Sequence, residues 1–87
     1  MNESLKSVLN TLLIHRKIGE SHTPEEPLIN KRTKYLSKPD RKEFEDQYFR
    51  LIKEGFIIRL KKKTGKGSDW HISLNPKLLT ELRDKMN

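Results

Sequence analysis

The chain has 87 residues, no cysteine and a formal net charge of +7. A chain of this length forms one small domain, and its core is too thin to enclose a cofactor. The lack of cysteine excludes disulfides and thiolate zinc sites, and no apolar run approaches the length of a membrane span. We therefore expect a single cytoplasmic domain over residues 1–87, without a cofactor.

The first predicted element is an amphipathic helix over residues 3–17. Its apolar positions repeat with helical spacing at Leu5, Val8, Leu9, Leu12 and Leu13. Asn2 or Ser4 can cap its start, and Gly19 is expected to end it in the left-handed conformation.

The next segment contains conflicting signals. The stretch Thr23-Pro24-Glu25-Glu26 has the form of a capping box that opens a helix. Pro27 works against this interpretation, because proline lacks a backbone donor and biases the preceding residue away from helical dihedrals. We predict a turn, a short strand over 28–29 and a second helix over 30–36. Two side chains of that helix are expected to face inward: Tyr35 and Leu36.

A third helix is predicted over residues 39–54. Ser37 or Asp40 can cap its start, Pro39 suits the first turn and Gly55 ends it. Its apolar face is formed by Phe44, Tyr48, Leu51 and Ile52, and is widened by Phe49 and Phe56.

A β-hairpin is predicted over residues 57–74. The first strand begins with a β-branched run at Ile57, and the second alternates with period two from Trp70 to Leu74. The glycines at 65 and 67 suit the turn between them. We expect Trp70, Ile72 and Leu74 to pack inward, opposite Ile58 and Leu60, while His71 and Ser73 face outward.

The last predicted element is a helix over residues 76–86, which opens at Asn75-Pro76. Its apolar stripe consists of Leu78, Leu79, Leu82 and Met86. The stripe either closes the core of the monomer or pairs with a second copy to form a homodimer, and the pattern favours neither.

In this order the elements resemble the winged helix-turn-helix domains of prokaryotic transcription regulators. The resemblance covers about residues 3–75, and most of it lies in residues 40–75. It rests on Phe44, Tyr48, Leu51, Gly55-Phe56-Ile57, Arg59, Gly65, Gly67 and the alternation from Trp70 to Leu74. It implies an α+β, mostly α fold with a three-helix core, a β-hairpin wing and a C-terminal helix. It also implies that helix 39–54 is a recognition helix that lies in the major groove of double-stranded DNA.

Two basic segments flank an acidic helix. Residues 31–42 carry a net charge of +5 and residues 57–69 carry +4, whereas residues 43–56 carry −2. The wing candidates for phosphate contact are Arg59, Lys61, Lys62, Lys63 and Lys66. The candidates around the turn are Lys31, Arg32, Lys34, Ser37, Lys38, Arg41 and Lys42. On the recognition helix, Gln47 and Arg50 are the better candidates for base contact, because its other exposed residues are acidic on balance.

These patterns predict double-stranded DNA binding by a small transcription regulator. The alternatives are a protein-binding winged helix within a larger complex, which would use the acidic helix, and RNA binding through the same basic surface. The three histidines fit no zinc spacing, and no residue grouping supports catalysis, so we expect no enzyme activity. Trp70 either stacks on a base or belongs to the core, and its place in an alternating strand favours the core.

Overall fold

The computed structural model describes residues 1–64 and 67–87 of the chain. The fold is α+β and mostly helical, with one three-stranded antiparallel sheet in the order β1-β3-β2. The elements in chain order are α1 (Glu3–Ile14), β1 (Thr23–Pro24), α2 (Glu25–Thr33), α3 (Lys38–Lys53), β2 (Ile57–Thr64), β3 (Gly67–Leu74), a 3₁₀ turn (Pro76–Leu78) and α4 (Leu79–Met86). The predicted order of helices and strands is therefore confirmed.

The core lies between α1, α3 and the inner face of the sheet. Its buried apolar side chains are Leu5, Val8, Leu9, Leu12, Phe44, Tyr48, Leu51, Phe56, Ile57, Ile72, Leu74 and Leu82. Each stabilises the fold by about 1.5–3 kcal/mol relative to an exposed position. The apolar stripes predicted for α1 and α3 supply most of this set.

Helix α1 ends earlier than predicted, because Arg16 and not Gly19 reverses the chain. Arg16 has a φ of 54°, in the left-handed region. The Arg16 N–H donates to the Leu13 carbonyl at 3.1 Å, and the Lys17 N–H donates to the Leu12 carbonyl at 2.8 Å. These two bonds form a Schellman motif with arginine where glycine is usual. The predicted end at residue 17 is wrong by three residues.

Helix α3 begins and ends where the sequence signals place it. The Ser37 hydroxyl accepts from the Asp40 N–H at 3.3 Å, and Pro39 lies in the first turn. At the other end Gly55 has a φ of 89°. Its N–H donates to Ile52, and the Phe56 N–H donates to Leu51 at 2.9 Å, which forms a second Schellman motif.

The prediction for residues 23–36 is wrong in its details. The short strand is β1 at 23–24, and the segment expected to be extended at 28–29 lies inside α2. Pro27 is the third residue of α2, where the backbone N–H has no intrahelical partner, so its missing donor costs nothing there. Tyr35 was expected to face inward, but it is 88% exposed because α2 ends at Thr33. Leu36 packs at the edge of the core.

The hairpin bounds and the inward-facing side of β3 are confirmed, but the predicted inward face of β2 is wrong. Ile57 pairs with Leu74, Arg59 with Ile72 and Lys61 with Trp70, so each of these pairs shares the inner face of the sheet. Ile58 and Leu60 lie on the outer face, opposite Ser73 and His71. Gly65, one of the glycines predicted to suit the turn, and Lys66 lie outside the described residues.

Two predictions for individual hairpin side chains also fail. Trp70 is 40% exposed and lies beyond the core, towards the hairpin end. Ser73 was expected to face solvent, but it is fully buried and its hydroxyl donates to the Gly19 carbonyl at 2.8 Å. The segment Lys17–Gly19, which runs parallel to β3 at Leu74, covers this position.

The C-terminal helix packs on the core of its own chain. Leu82 is 1% exposed, and Leu78, Leu79 and Met86 are partly buried against the core. Leu82 of the predicted stripe therefore belongs to the core of this chain, and the other three residues border that core. Within residues 1–64 and 67–87, each helix is too short or too polar to cross a membrane.

Candidate nucleic-acid interface

The hairpin carries the densest group of exposed lysines in the described chain. Lys61, Lys62 and Lys63, which we call the lysine tip, are all exposed in the outer half of β2. Side chains alternate across a strand, so Lys61 and Lys63 share the face of Trp70, whereas Lys62 shares the face of Asp69 and His71. Lys66 was predicted to belong to this group, but it lies outside the described residues.

Arg59 was predicted to contact DNA, but the structure places it in an internal ion pair. Its Nε donates to Glu25 Oε2 at 2.8 Å and its Nη2 to Glu25 Oε1 at 2.9 Å, which is a bidentate arrangement. The hydrogen bond to Glu25 raises the pKa of the Arg59 guanidinium. The Arg59 and Glu25 side chains are 25% and 13% exposed, so the pair is largely removed from water.

Glu25 also accepts a hydrogen bond from Tyr48, at 2.5 Å. Burial, and then the hydrogen bond to Glu25, raise the pKa of the Tyr48 phenol well above its usual value. The first residue of α2 is in this way joined to the middle of α3 and to β2. This network positions the N-terminus of α2 against the sheet.

Trp70 stacks on this network. The Arg59 guanidinium carbon lies 3.9 Å from the indole centroid, and Lys61 Nζ lies 5.7 Å from it. Both distances are within the range of cation–π attraction. The exposed part of the indole borders an open groove of about 490 Å³ between β3 and the first turns of α2. Residues around this groove, which we call the Trp70 groove, include Glu26, Pro27, Asn30 and Asp69.

Two residues of the predicted turn cluster hold the helices together. Arg41 Nη2 donates to Thr33 Oγ1 at 3.1 Å and approaches the Thr33 carbonyl at 3.4 Å, so it caps the end of α2. Arg32 Nη2 donates to Thr11 Oγ1 of α1 at 3.1 Å, and Arg32 Nε is buried without a partner among the described atoms. Arg41 is itself exposed, as is the rest of the cluster: Lys31, Lys34, Ser37, Lys38 and Lys42. The Lys42 Nζ lies 3.8 Å from Asp46 Oδ2, which forms an ion pair within α3.

The two base-contact candidates on α3 have different surroundings. Gln47 Oε1 accepts the Asn2 backbone N–H at 2.7 Å, so this side chain secures the start of α1. The Asn2 side-chain amide also donates to Glu43 at 3.2 Å. Arg50 is exposed and borders a shallow depression with Phe49 and Lys53. Of the two candidates, Arg50 is the one whose side chain faces outward from α3.

A histidine pair lies on the outer face of the sheet. The Nδ1 atoms of His22 and His71 are 2.9 Å apart, so one ring donates to the other, and the rings are perpendicular. Desolvation, and then the proximity of His71, Lys62 and Lys17, lower the pKa of His22. The pair fastens the segment before β1 to β3. Among the described residues, no three histidine or acidic side chains are grouped so as to hold a metal ion.

Besides Tyr35, the sequence interpretation missed the exposure of two further aromatic residues. Phe49 was assigned to the apolar face of α3, but it is 53% exposed. The sequence did contain a signal of this exposure: Phe49 directly follows Tyr48, which is on the buried face of the helix. Because consecutive helix residues point about 100° apart, Phe49 cannot lie on the same face as Tyr48. The exposure of Trp70 could not be seen without the strand register.

The chain matches no protein-family model, no curated protein and no solved structure.

Proposed function

We propose that the protein is a winged helix domain that binds double-stranded DNA, in the manner of a small transcription regulator. The chain order α1-β1-α2-α3-β2-β3 and the sheet order β1-β3-β2 support this assignment. In it α2 and α3 form the helix-turn-helix, and the hairpin β2-β3 is the wing. The net charge of +7 favours a polyanionic partner.

The lysine tip is the observation that carries the proposal. Three consecutive exposed lysines lie towards the far end of a strand whose first residue, Ile57, is buried in the core, so their charge lies away from the domain centre. Flexible ammonium groups in such a place suit phosphate contact, which gives affinity without sequence preference. Lys31, Lys34, Lys38 and Lys42 would add phosphate contacts from the turn.

In this proposal, four of the predicted contact residues do not bind DNA directly: Arg59, Gln47, Arg32 and Arg41. Their polar groups are engaged with other parts of the chain, and they act by holding the wing and the helices in place. Arg50 remains the candidate for base contact. The acidic residues Asp46 and Glu54, which border the same depression on α3 as Arg50, favour shallow entry of this helix into the groove.

The decisive measurement is binding to random-sequence duplex DNA across a salt series. Neutralising the tip with Lys61→Gln, Lys62→Gln and Lys63→Gln should lower the slope of log affinity on log salt by about 2–3, since each phosphate contact contributes about 0.9. The matched control removes the same charge from the C-terminal region with Lys77→Gln, Arg83→Gln and Lys85→Gln. It should leave the slope nearly unchanged.

Three outcomes would overturn the proposal. The natural protein could fail to bind duplex DNA at low salt, or bind it with no salt slope. Equal losses in the two triple variants would show that net charge alone, and not the wing, is responsible. Competition with duplex RNA of the same length tests the RNA alternative, which requires that the RNA bind more tightly than the DNA.

A second candidate function is protein binding through the outward side of α3. Phe49 favours it, because a large aromatic side chain 53% exposed among charged neighbours is typical of a docking surface. The two uses of α3 are separable by mutation. If α3 reads DNA, Arg50→Ala should alter sequence preference. If α3 docks a protein, both Arg50→Ala and Phe49→Ala should leave DNA affinity and preference unchanged.

A further inference from the structure

The inner face of the hairpin combines cations with one exposed aromatic ring. Arg59, Lys61 and Lys63 lie along β2 on this face, and Trp70 lies directly across from Lys61. Positive charge beside an aromatic platform is the combination by which proteins bind unpaired nucleotides: the base stacks while the cations hold the phosphates.

The indole is held in place before any ligand arrives. Arg59 lies against it at 3.9 Å, and Glu25 fixes Arg59 through two hydrogen bonds of 2.8 and 2.9 Å. A fixed ring loses little side-chain entropy when a base stacks on it, which improves affinity. The core does not require this ring, since Trp70 is 40% exposed and stands outside the buried cluster.

The Trp70 groove suits a planar, uncharged group with hydrogen-bond donors on its edge. Its lining residues include Glu26, Pro27, Asn30 and Asp69, of which Pro27 is apolar and Glu26 and Asp69 are acidic. Carboxylates accept from exocyclic amino groups and repel phosphates. A base would therefore enter the groove while its phosphate remains beside Lys61 and Lys63.

We propose that Trp70 stacks on an unpaired nucleobase, so that the preferred substrate is duplex DNA with a single-stranded overhang or junction. The inference rests on the proposed DNA-binding function and specifies its substrate. The acidic lining of the groove favours bases that carry an exocyclic amino group, namely adenine, cytosine and guanine, over thymine, which has none.

Trp70 is the one tryptophan of the chain, so its fluorescence reports directly on the site. The experiment compares one blunt duplex with the same duplex bearing a short overhang of adenines, or one of thymines. The adenine overhang should quench Trp70 fluorescence and bind about five- to a hundredfold more tightly than the blunt duplex, which corresponds to one stacked base. The thymine overhang should bind between the two.

Variants separate stacking from general binding. Trp70→Leu should remove the preference for the overhang and keep blunt-duplex binding, and that retained binding also shows that the variant folds. Trp70→Phe should keep part of the preference. The matched control is Tyr35→Leu, because Tyr35 is an aromatic residue 88% exposed at the end of α2. It should leave the preference intact.

The outcomes distinguish this inference from the function on which it rests. Equal affinity for blunt and overhang duplexes would overturn the inference alone, as would a preference that survives in Trp70→Leu. Quenching by an arginine- and lysine-rich peptide, with none by the overhang, would assign the groove to a basic protein segment. Failure to bind either duplex at low salt would overturn both the inference and the proposed function.

Discussion

Replacing Glu25 with glutamine should markedly lower the Tm of the protein, although the two side chains have nearly the same shape. Glu25 is the partner of Arg59 in a bidentate ion pair, and it accepts the Tyr48 hydroxyl. The amide oxygen can still accept two of these three bonds, but the amide nitrogen cannot accept the third, and the neutral group cannot neutralise the guanidinium. The Glu25→Gln variant therefore leaves a charge in a largely buried position without its counter-ion.

The size of the effect follows from the burial of the pair. Exposed ion pairs contribute about 0.2–1 kcal/mol, whereas breaking a fully buried pair costs about 3–5 kcal/mol. The side chains are 13% and 25% exposed, so we expect an intermediate loss of about 2–3 kcal/mol. For a domain of this size, such a loss lowers Tm by about 10–20 °C.

Urea and thermal unfolding of Glu25→Gln and Glu26→Gln test this reasoning. Glu26 is exposed in the same helical turn, so the control loses the same favourable interaction with the helix dipole, worth about 0.3–1 kcal/mol. A double-mutant cycle with Arg59→Gln isolates the pair, and the double variant should lose less than the sum of the singles. The reasoning is refuted if Glu25→Gln and Glu26→Gln agree within about 0.5 kcal/mol.

Three further predictions concern single contacts. The pKa of Tyr48 is raised in the folded state, so the contribution of this phenol to stability is present below its ordinary pKa of 10.0 and is lost as the pH rises beyond that value. The Tyr48→Phe variant should therefore show a smaller loss of urea-unfolding stability at alkaline pH, and an unchanged loss would contradict this. Because His22 has a lowered pKa, its contribution is present above the ordinary 6.5 and is lost on acidification. His71→Gln should raise the His22 pKa in an NMR titration, and no rise would remove His71 as a cause. Arg16→Gly should stabilise the fold by about 0.5–1 kcal/mol in urea unfolding, because glycine adopts the φ of 54° without strain; any loss would contradict this.

The helices of the core could be predicted because their apolar residues repeat with an unambiguous period. The stripes of α1 and α3 and the glycine at Gly55 are local signals, and the structure uses them as expected. The end of α1 could not be predicted, since an arginine in the left-handed conformation has no sequence signature. The Schellman bonds of Arg16 and Lys17 hold it there.

The face of β2 was misassigned by one residue, and this error reversed the interpretation of the β2 side chains. Ile57 and Ile58 are both β-branched, so alternation alone does not tell which one faces inward. The structure settles the choice through the pairing of Ile57 with Leu74. This choice moves Arg59 to the inner face, where it needs a counter-ion. Its partner Glu25 is 34 residues away in sequence, a separation that local patterns do not reveal.

The candidate site was predictable in its charge and not in its geometry. The sequence located the lysine tip, because three consecutive lysines in a predicted strand need no tertiary information. It did not separate cations that face solvent from those that bind their own chain. Gln47 illustrates this, because its partner is the backbone N–H of Asn2, 45 residues away in sequence. Such contacts depend on how α1 crosses α3.

The attachment of α2 has a consequence for how the molecule opens. This helix contributes one fully buried side chain, Thr33, and its firmest ties among the described residues are polar ones made by Glu25, Arg32 and Thr33. Segments that bury little apolar surface unfold locally at a lower free-energy cost than the core does. The amides of 25–33 should therefore exchange with solvent through a local opening that leaves α1, α3 and the sheet closed. During such an opening Arg59 would lose its counter-ion, and the ring of Trp70 would lose its fixed support.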